Sequence, residues 1–247
     1  HLGVPFLGMI PSVPKGQEVQ NPLVTMPGLA NFSEAFKTVR TNVLFSTAED
    51  GARSLVVTSA GPGEGKSICS ANLAVSLAQS GLRVLLVDAD MRRPRVHEIF
   101  AVDQEPGFSN VLSGNAKVAE AIKKSPIQGL WLMTAGHIPP NPAELLGSPR
   151  YVDFLASLDD HFDWVVVDTP PVMVVADSLV VGNQATGVIF VVGADQTSRH
   201  TARNAVDQLT NTNANVIGSI LNRADVHRNP HYYSQYYRKE YSKYYVK

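Results

Sequence analysis

Apolar and polar positions along the chain fall into two alternating kinds of segment. Short, largely β-branched runs at 54–58 (SLVVT), 83–88 (RVLLVD), 130–135 (LWLMTA), 163–168 (DWVVVD), 187–192 (GVIFVV) and 215–221 (NVIGSIL) are apolar almost throughout. A strand with one wet face would alternate, so these near-continuous runs predict strands covered on both sides. Helical stretches separate them, the clearest running from about residue 66 to 80 and stopped by Gly81. Strands alternating with helices predict an α/β fold, with a mostly parallel central sheet flanked by helices on both faces. Ahead of the first run, NFSEAFKTVRTNVLF repeats Phe32, Phe36, Val39 and Val43 at helical spacing. Asn31 stands there as N-cap with Glu34 three residues on, which predicts an amphipathic helix. No internal repeat is present.

The two ends break this pattern. Residues 1–30 hold five prolines (Pro5, Pro11, Pro14, Pro22, Pro27) and no sustained periodicity, as expected of an extended lead-in. From Asp225 onward only Val226 and Val246 are aliphatic, too little to fold independently. The expected division is therefore a lead-in over 1–30, one domain over 31–227 and a flexible tail over 228–247. A chain of 247 residues, 44% hydrophobic and 17% charged, suits one sizeable domain of this kind. Its formal net charge of −1 gives no global basic field for nucleic acid, and no window approaches the roughly 18 apolar residues of a membrane span. A single cysteine, Cys69, excludes an internal disulfide framework and agrees with a reducing cytoplasm. His1 is not an initiator methionine, so the chain is expected either to be a piece of something longer or to carry a tag remnant.

Chemistry enters at 60–67, AGPGEGKS, which matches the phosphate-loop pattern G-x4-G-K-[ST] except for Ala60 at its first position. The loop follows a strand and opens a helix, the setting a phosphate cradle requires. Gly61, Pro62, Gly63, Glu64 and Gly65 would turn backbone N–H groups toward phosphate oxygens, and the start of the helix through Ser67 and Ile68 adds its dipole. Lys66 would reach the β- and γ-phosphates, and Ser67 can ligate Mg2+. A plain glycine-rich turn capping a helix is the competing reading, and the strand–loop–helix context speaks against it.

Two further strands end in acids: Asp88 and Asp90 follow one, and Asp168 ends another. In an open parallel sheet, ligands sit at the carboxyl ends of strands, so all three can converge on the phosphate loop. Any one of them could be an ordinary N-cap of the next helix. Three beside a phosphate loop point instead to Mg2+ and proton chemistry. Asn222, in GSILNRAD, closes the last run, as a base-reading residue or a strand-ending turn.

The phosphate loop together with VLLVDADMRRP and VVVDTPP resembles the Walker A, A′ and B motifs of the bacterial tyrosine kinases (BY-kinases) of capsule and exopolysaccharide synthesis. GHIPPNPAELLGS resembles the family's segment between A′ and B. EAFKTVRTNVLF resembles its E-x2-R-x2-R oligomerisation helix, read here as Glu34, Lys37 and Arg40, with lysine at the first arginine position; Glu34 is equally a capping residue. The tail HYYSQYYRKEYSKYYVK, with seven of the eight tyrosines, completes the resemblance. Partition and septum-site ATPases share the A′ and B strands but carry a signature lysine where Gly61 stands. A eukaryotic-type kinase is excluded, since the chain has neither H-R-D nor D-F-G.

This resemblance implies an ATP- and Mg2+-dependent protein-tyrosine autokinase. It implies Asp88 as the base for the phenol, with Asp90 as the competing assignment on the same turn, and Ser67, Asp90 and Asp168 around Mg2+. It implies Asn222 against adenine and Tyr232, Tyr233, Tyr236, Tyr237, Tyr241, Tyr244 and Tyr245 as autophosphorylation sites. The expected partners are copies of the chain in a ring with exchanged tails, a membrane part of the same polypeptide or a separate membrane activator, and a tyrosine phosphatase. The expected place is the cytoplasmic side of the inner membrane. The tyrosines alone are also compatible with a packed aromatic stripe on a helix. Their mixture with Arg238, Lys239, Lys243 and Lys247 could bind single strands, but nothing else in the chain supports nucleic acid. The alternative function is a partition-type switch in which nucleotide controls assembly without tyrosine phosphorylation.

Overall fold

In a computed structural model of the chain, residues 2–13, 22, 25, 29–47 and 53–225 are described. The tail and its seven tyrosines lie outside them. The strands are β1 (Phe6–Pro11), β2 (Arg53–Ser59), β3 (Val84–Asp88), β4 (Ile122–Lys124), β5 (Leu130–Met133), β6 (Trp164–Asp168), β7 (Gly187–Gly193) and β8 (Val216–Ala224). The helices are α1 (Ala30–Ser46), α2 (Lys66–Ala78), α3 (Val96–Phe100), α4 (Phe108–Ser113), α5 (Val118–Ala121), α6 (Pro142–Leu146), α7 (Pro149–Ala156), α8 (Asp177–Gly182) and α9 (Arg199–Asn211).

The strands form one sheet in the order β1-β8-β7-β2-β6-β3-β5-β4, parallel at every pairing except β4 with β5. Strand residues alternate between two cores, as a pleat with period two requires. Leu55, Val57, Leu86 and Val166 pack with α1, α2 and α3 on one face, while Val56, Leu85, Val87 and Val167 pack with α4, α7 and α9 on the other. Continuous apolar runs are thus what a sheet covered on both sides needs, and the expected fold class is the observed one.

Three details differ from expectation. Within the lead-in, β1 is a parallel edge strand on β8, with Leu7 and Ile10 buried under α1. A Cβ on Gly8 would stand 2.7 Å from a Val39 methyl, so the close approach of β1 to α1 needs glycine there. At the opposite edge, the three residues of β4 add an antiparallel strand that the sequence pattern did not announce. Helix α1 begins at Ala30 with Leu29 as its N-cap, and no side chain caps it. Burial of Leu29 in the core fixes that start and places Asn31 inside the first turn rather than at the cap. No described helix is long and apolar enough to cross a membrane.

Candidate active site

Because β2, β3, β6, β7 and β8 run in the same direction, their carboxyl ends share one rim. The loop from Gly61 to Gly65 leaves β2 at this rim and feeds α2. Gly63 and Gly65 adopt φ of +79° and +86°, in the left-handed region that favours glycine. Ala60 has no such φ and is buried, which accounts for alanine at the first motif position. Ile68 is half-buried against the core under α2.

The loop is held by side chains whose roles the motif does not reveal. Glu64 is buried; the Gly61 N–H donates to its Oε1, and the Gly193 N–H at the end of β7 donates to its Oε2 at 2.8 Å. Asn222 Nδ2 donates to Glu64 O at 2.8 Å, and Gln196 Nε2 donates to Pro62 O at 2.9 Å. The loop is thereby clasped to the ends of β7 and β8. Asn222 braces it from within hydrogen-bond distance, whatever part it takes toward a base.

The three acids meet here. Asp88 and Asp168 are register partners on neighbouring strands, and both are fully buried. Lys66 Nζ lies 2.7 Å from Asp90 Oδ2. Burial works against the Lys66 ammonium, but Asp168, Asp90 and Asp88 outweigh it and hold its pKa above the usual lysine value. Burial raises Asp168, opposed by Lys66, by Ser67 and by the Ser70 hydroxyl, which donates to Oδ1 at 3.0 Å. Asp168 Oδ2 is buried without a hydrogen-bond partner. An orphaned carboxylate oxygen beside a hydroxyl fits a water-bearing Mg2+ held by Ser67, Asp90 and Asp168. Among the described residues no three His, Cys, Asp or Glu side chains could hold a metal ion by themselves, so such an ion would also need phosphate oxygens.

Asp88 does more than its motif position implies. Its Oδ2 accepts from the Arg95 and Val96 N–H groups, both at 2.9 Å, which caps α3, and its Oδ1 accepts a longer bond of 3.2 Å from Asp90 N–H. Burial and the neighbouring Asp168 charge push its pKa up to about 8 against the pull of those N–H groups. Asp90 Oδ1 accepts from Arg93 N–H at 3.0 Å.

The α1 residues sit apart from this rim cluster. Glu34 and Lys37 form an exposed pair at 2.7 Å, whereas Arg40 turns inward and donates to Ser76 O on α2 at 2.8 Å. Only the first two are therefore presented outward. Two pairings escaped sequence reasoning because no local pattern signals them: the Glu64 clasp and an ion pair between Arg92 and Asp177.

A family model described as ParA, NUBPL iron-transfer P-loop NTPase, matches residues 52–243. Tyrosine-protein kinase YwqD of Bacillus subtilis is 37% identical over 220 residues, covering 88% of this chain and 92% of YwqD. The solved kinase domain of the Escherichia coli tyrosine kinase ETK superposes with a TM-score of 0.83 at 31% identity, covering 91% of this chain and 92% of that domain. Of the full-length Escherichia coli kinase the chain spans only 26%. The septum-site protein MinD of Pyrococcus horikoshii, at 22% identity, a TM-score of 0.60 and 70% coverage of each chain, shares the fold. The chain belongs to the ParA-like P-loop NTPases and, within them, to the bacterial tyrosine kinases.

Proposed function

We propose that the chain transfers the γ-phosphoryl group of ATP to tyrosines of its own tail, Tyr232, Tyr233, Tyr236, Tyr237, Tyr241, Tyr244 and Tyr245, with each copy serving a neighbour in a ring. The observation that carries this reading is the shared rim. The phosphate loop, Asp88, Asp90 and Asp168 stand at the carboxyl ends of parallel strands, and β8, which leads into the tail, ends at the same rim.

Phosphoryl transfer demands positioning and charge neutralisation more than covalent chemistry. The loop amides and Lys66 bind and orient the phosphates, and taking up Lys66 frees Asp90 from their ion pair. When bound through Ser67, Asp90 and Asp168, Mg2+ supplies positive charge against the phosphate oxygens. The phenol, with an ordinary pKa near 10, needs a carboxylate to accept its proton. Asp88 takes that role, through Oδ1: Oδ2 already accepts two N–H groups, while Oδ1 accepts one long bond and keeps a lone pair. Its raised proton affinity suits a base working near neutral pH. Asn222, bonded to the loop at Glu64 O from the end of β8, reads the adenine.

Glu34 and Lys37 on α1 form part of the contact between copies. Each phosphotyrosine adds about −1.5 to −2 charges, so a modified tail is repelled from a rim lined with carboxylate and phosphate, and the ring loosens. The chain acts at the cytoplasmic side of an inner membrane, tied to it by a membrane part of its own polypeptide or by an activator, and reset by a phosphatase. In that setting it controls capsular or exopolysaccharide polymerisation and export. The division into lead-in, 31–227 kinase domain and 228–247 tail belongs to the same reading.

The test is incubation with ATP and Mg2+ followed by mass-spectrometric mapping. Phosphate is expected on the tail tyrosines of the wild type and absent from Lys66→Met. A tail left unmodified at high protein concentration would sink the proposal.

A further inference from the structure

On the turn that leads from Asp90 to α3, Arg92 reaches across the rim to Asp177, the first residue of α8. Its Nε donates to Asp177 Oδ2 at 2.9 Å and its Nη2 to Asp177 Oδ1 at 3.0 Å. The carboxylate is fully buried, while the arginine side chain keeps 41% of its exposure. A buried carboxylate is costly unless paired, and the two-pronged guanidinium contact fixes both the distance and the plane of the pair. A lysine could match the charge but not the fork.

The pair joins two particular segments. Arg92 lies two residues beyond Asp90, on the turn leaving β3; Asp177 starts the helix that follows the segment leaving β6, nine residues after Asp168. Strands β3 and β6 are neighbours, so the ion pair closes at the rim what the sheet hydrogen bonds close below it. The inner side of the same turn is wired by the Arg93 and Arg95 N–H bonds to Asp90 and Asp88. Its outer side is held by Arg92.

We propose that Arg92 and Asp177 are positioning residues for phosphoryl transfer, their ion pair locking the turn that carries Asp88 and Asp90 against the segment that carries Asp168. The inference rests on the roles given to those three acids above. A base and a charge-neutralising group on separate loops must keep their separation to a fraction of an ångström, and misplacement of about 1 Å costs on the order of 100-fold in rate. Binding of nucleotide depends on the phosphate loop and is left largely intact.

The test uses the full chain and three forms: wild type, Arg92→Lys, and the double variant Arg92→Gln/Asp177→Asn. The lysine keeps a cation opposite the buried carboxylate, and the double variant removes both charges together, so each avoids a buried unpaired ion. The maximal rate of tail phosphorylation at saturating MgATP, the KM for ATP and the thermal midpoint are measured for each. The expected result is a fall of about tenfold or more in maximal rate for both variants, with KM changed less than about threefold and a retained folded transition. Maximal rates within about twofold of wild type in either variant, or a loss that appears only as raised KM, would overturn the positioning role. A wild-type chain that leaves its tail unmodified refutes the proposed function itself; an active wild type beside equally active variants refutes only the lock.

Discussion

Asp88 has no exposed surface and a proton affinity that burial, then the Asp168 charge, push up to about 8. Two consequences of opposite sign follow. As a base it works only when deprotonated, so kcat/KM for MgATP, which reports the nucleotide-free protein, should rise with pH toward about 8, and Asp88→Asn should remove both that limb and most of the activity. In the nucleotide-free protein the native state keeps a proton that the unfolded chain releases at its ordinary 3.8. That contribution to stability is complete below this value and is lost as pH rises toward and through about 8, so the thermal midpoint of the wild type should fall over this interval more than that of Asp88→Asn. Gly65 is a second single-residue case. Its φ is +86°, and an added Cβ would meet Asn222 Nδ2 at 2.1 Å. Gly65→Ala should cost about 1–2 kcal/mol in backbone strain and weaken MgADP binding in a fluorescence titration, because either the loop or Asn222 must move. Tyr151 is the one tyrosine outside the tail; it is fully buried and its hydroxyl has no partner. No phosphate is expected there, and Tyr151→Phe should raise stability by about 1 kcal/mol in denaturant unfolding, since it removes an unsatisfied polar group.

At the scale of elements, hydrogen bonds between segments distant in sequence decide how the phosphate loop is held. Glu64→Ala would leave the Gly61 and Gly193 N–H groups without their acceptor, so it should destabilise the fold by about 1–3 kcal/mol and lower nucleotide affinity together. On α1, Arg40→Ala should lower the thermal midpoint even of dilute, dissociated protein, because it cuts the bond to Ser76 O, whereas Lys37→Ala should leave it unchanged. The central strands were legible because each is a buried apolar run whose identity depends only on its own residues. The phosphate loop and the strand-end acids were legible because their chemistry is local. Strand β1 was hidden, since its proline and glycine content argues against a strand until β8 and α1 are known to cover it. The three residues of β4 are too short to carry a period. Glu64 meets Gly193 across 129 positions and Arg92 meets Asp177 across 85, and no window of sequence contains both partners of either pair.

For the whole molecule, delivery of a tail between copies predicts complementation. Chains carrying Lys66→Met but an intact tail, mixed with active chains ending at residue 227, should acquire phosphotyrosine, although neither does so alone. Strand polarity adds a further constraint. Although β1 runs parallel to β8, Phe6 pairs with Ser219, which stands level with Phe190 of β7 and Thr58 of β2, so β1 starts near the carboxyl ends of the central strands rather than at the foot of the sheet. A pull on the chain ahead of Phe6 would therefore act on the outer edge of the sheet at about the height of the nucleotide rim, and would load the β1–β8 pairing and its α1 cover before it reached the phosphate loop.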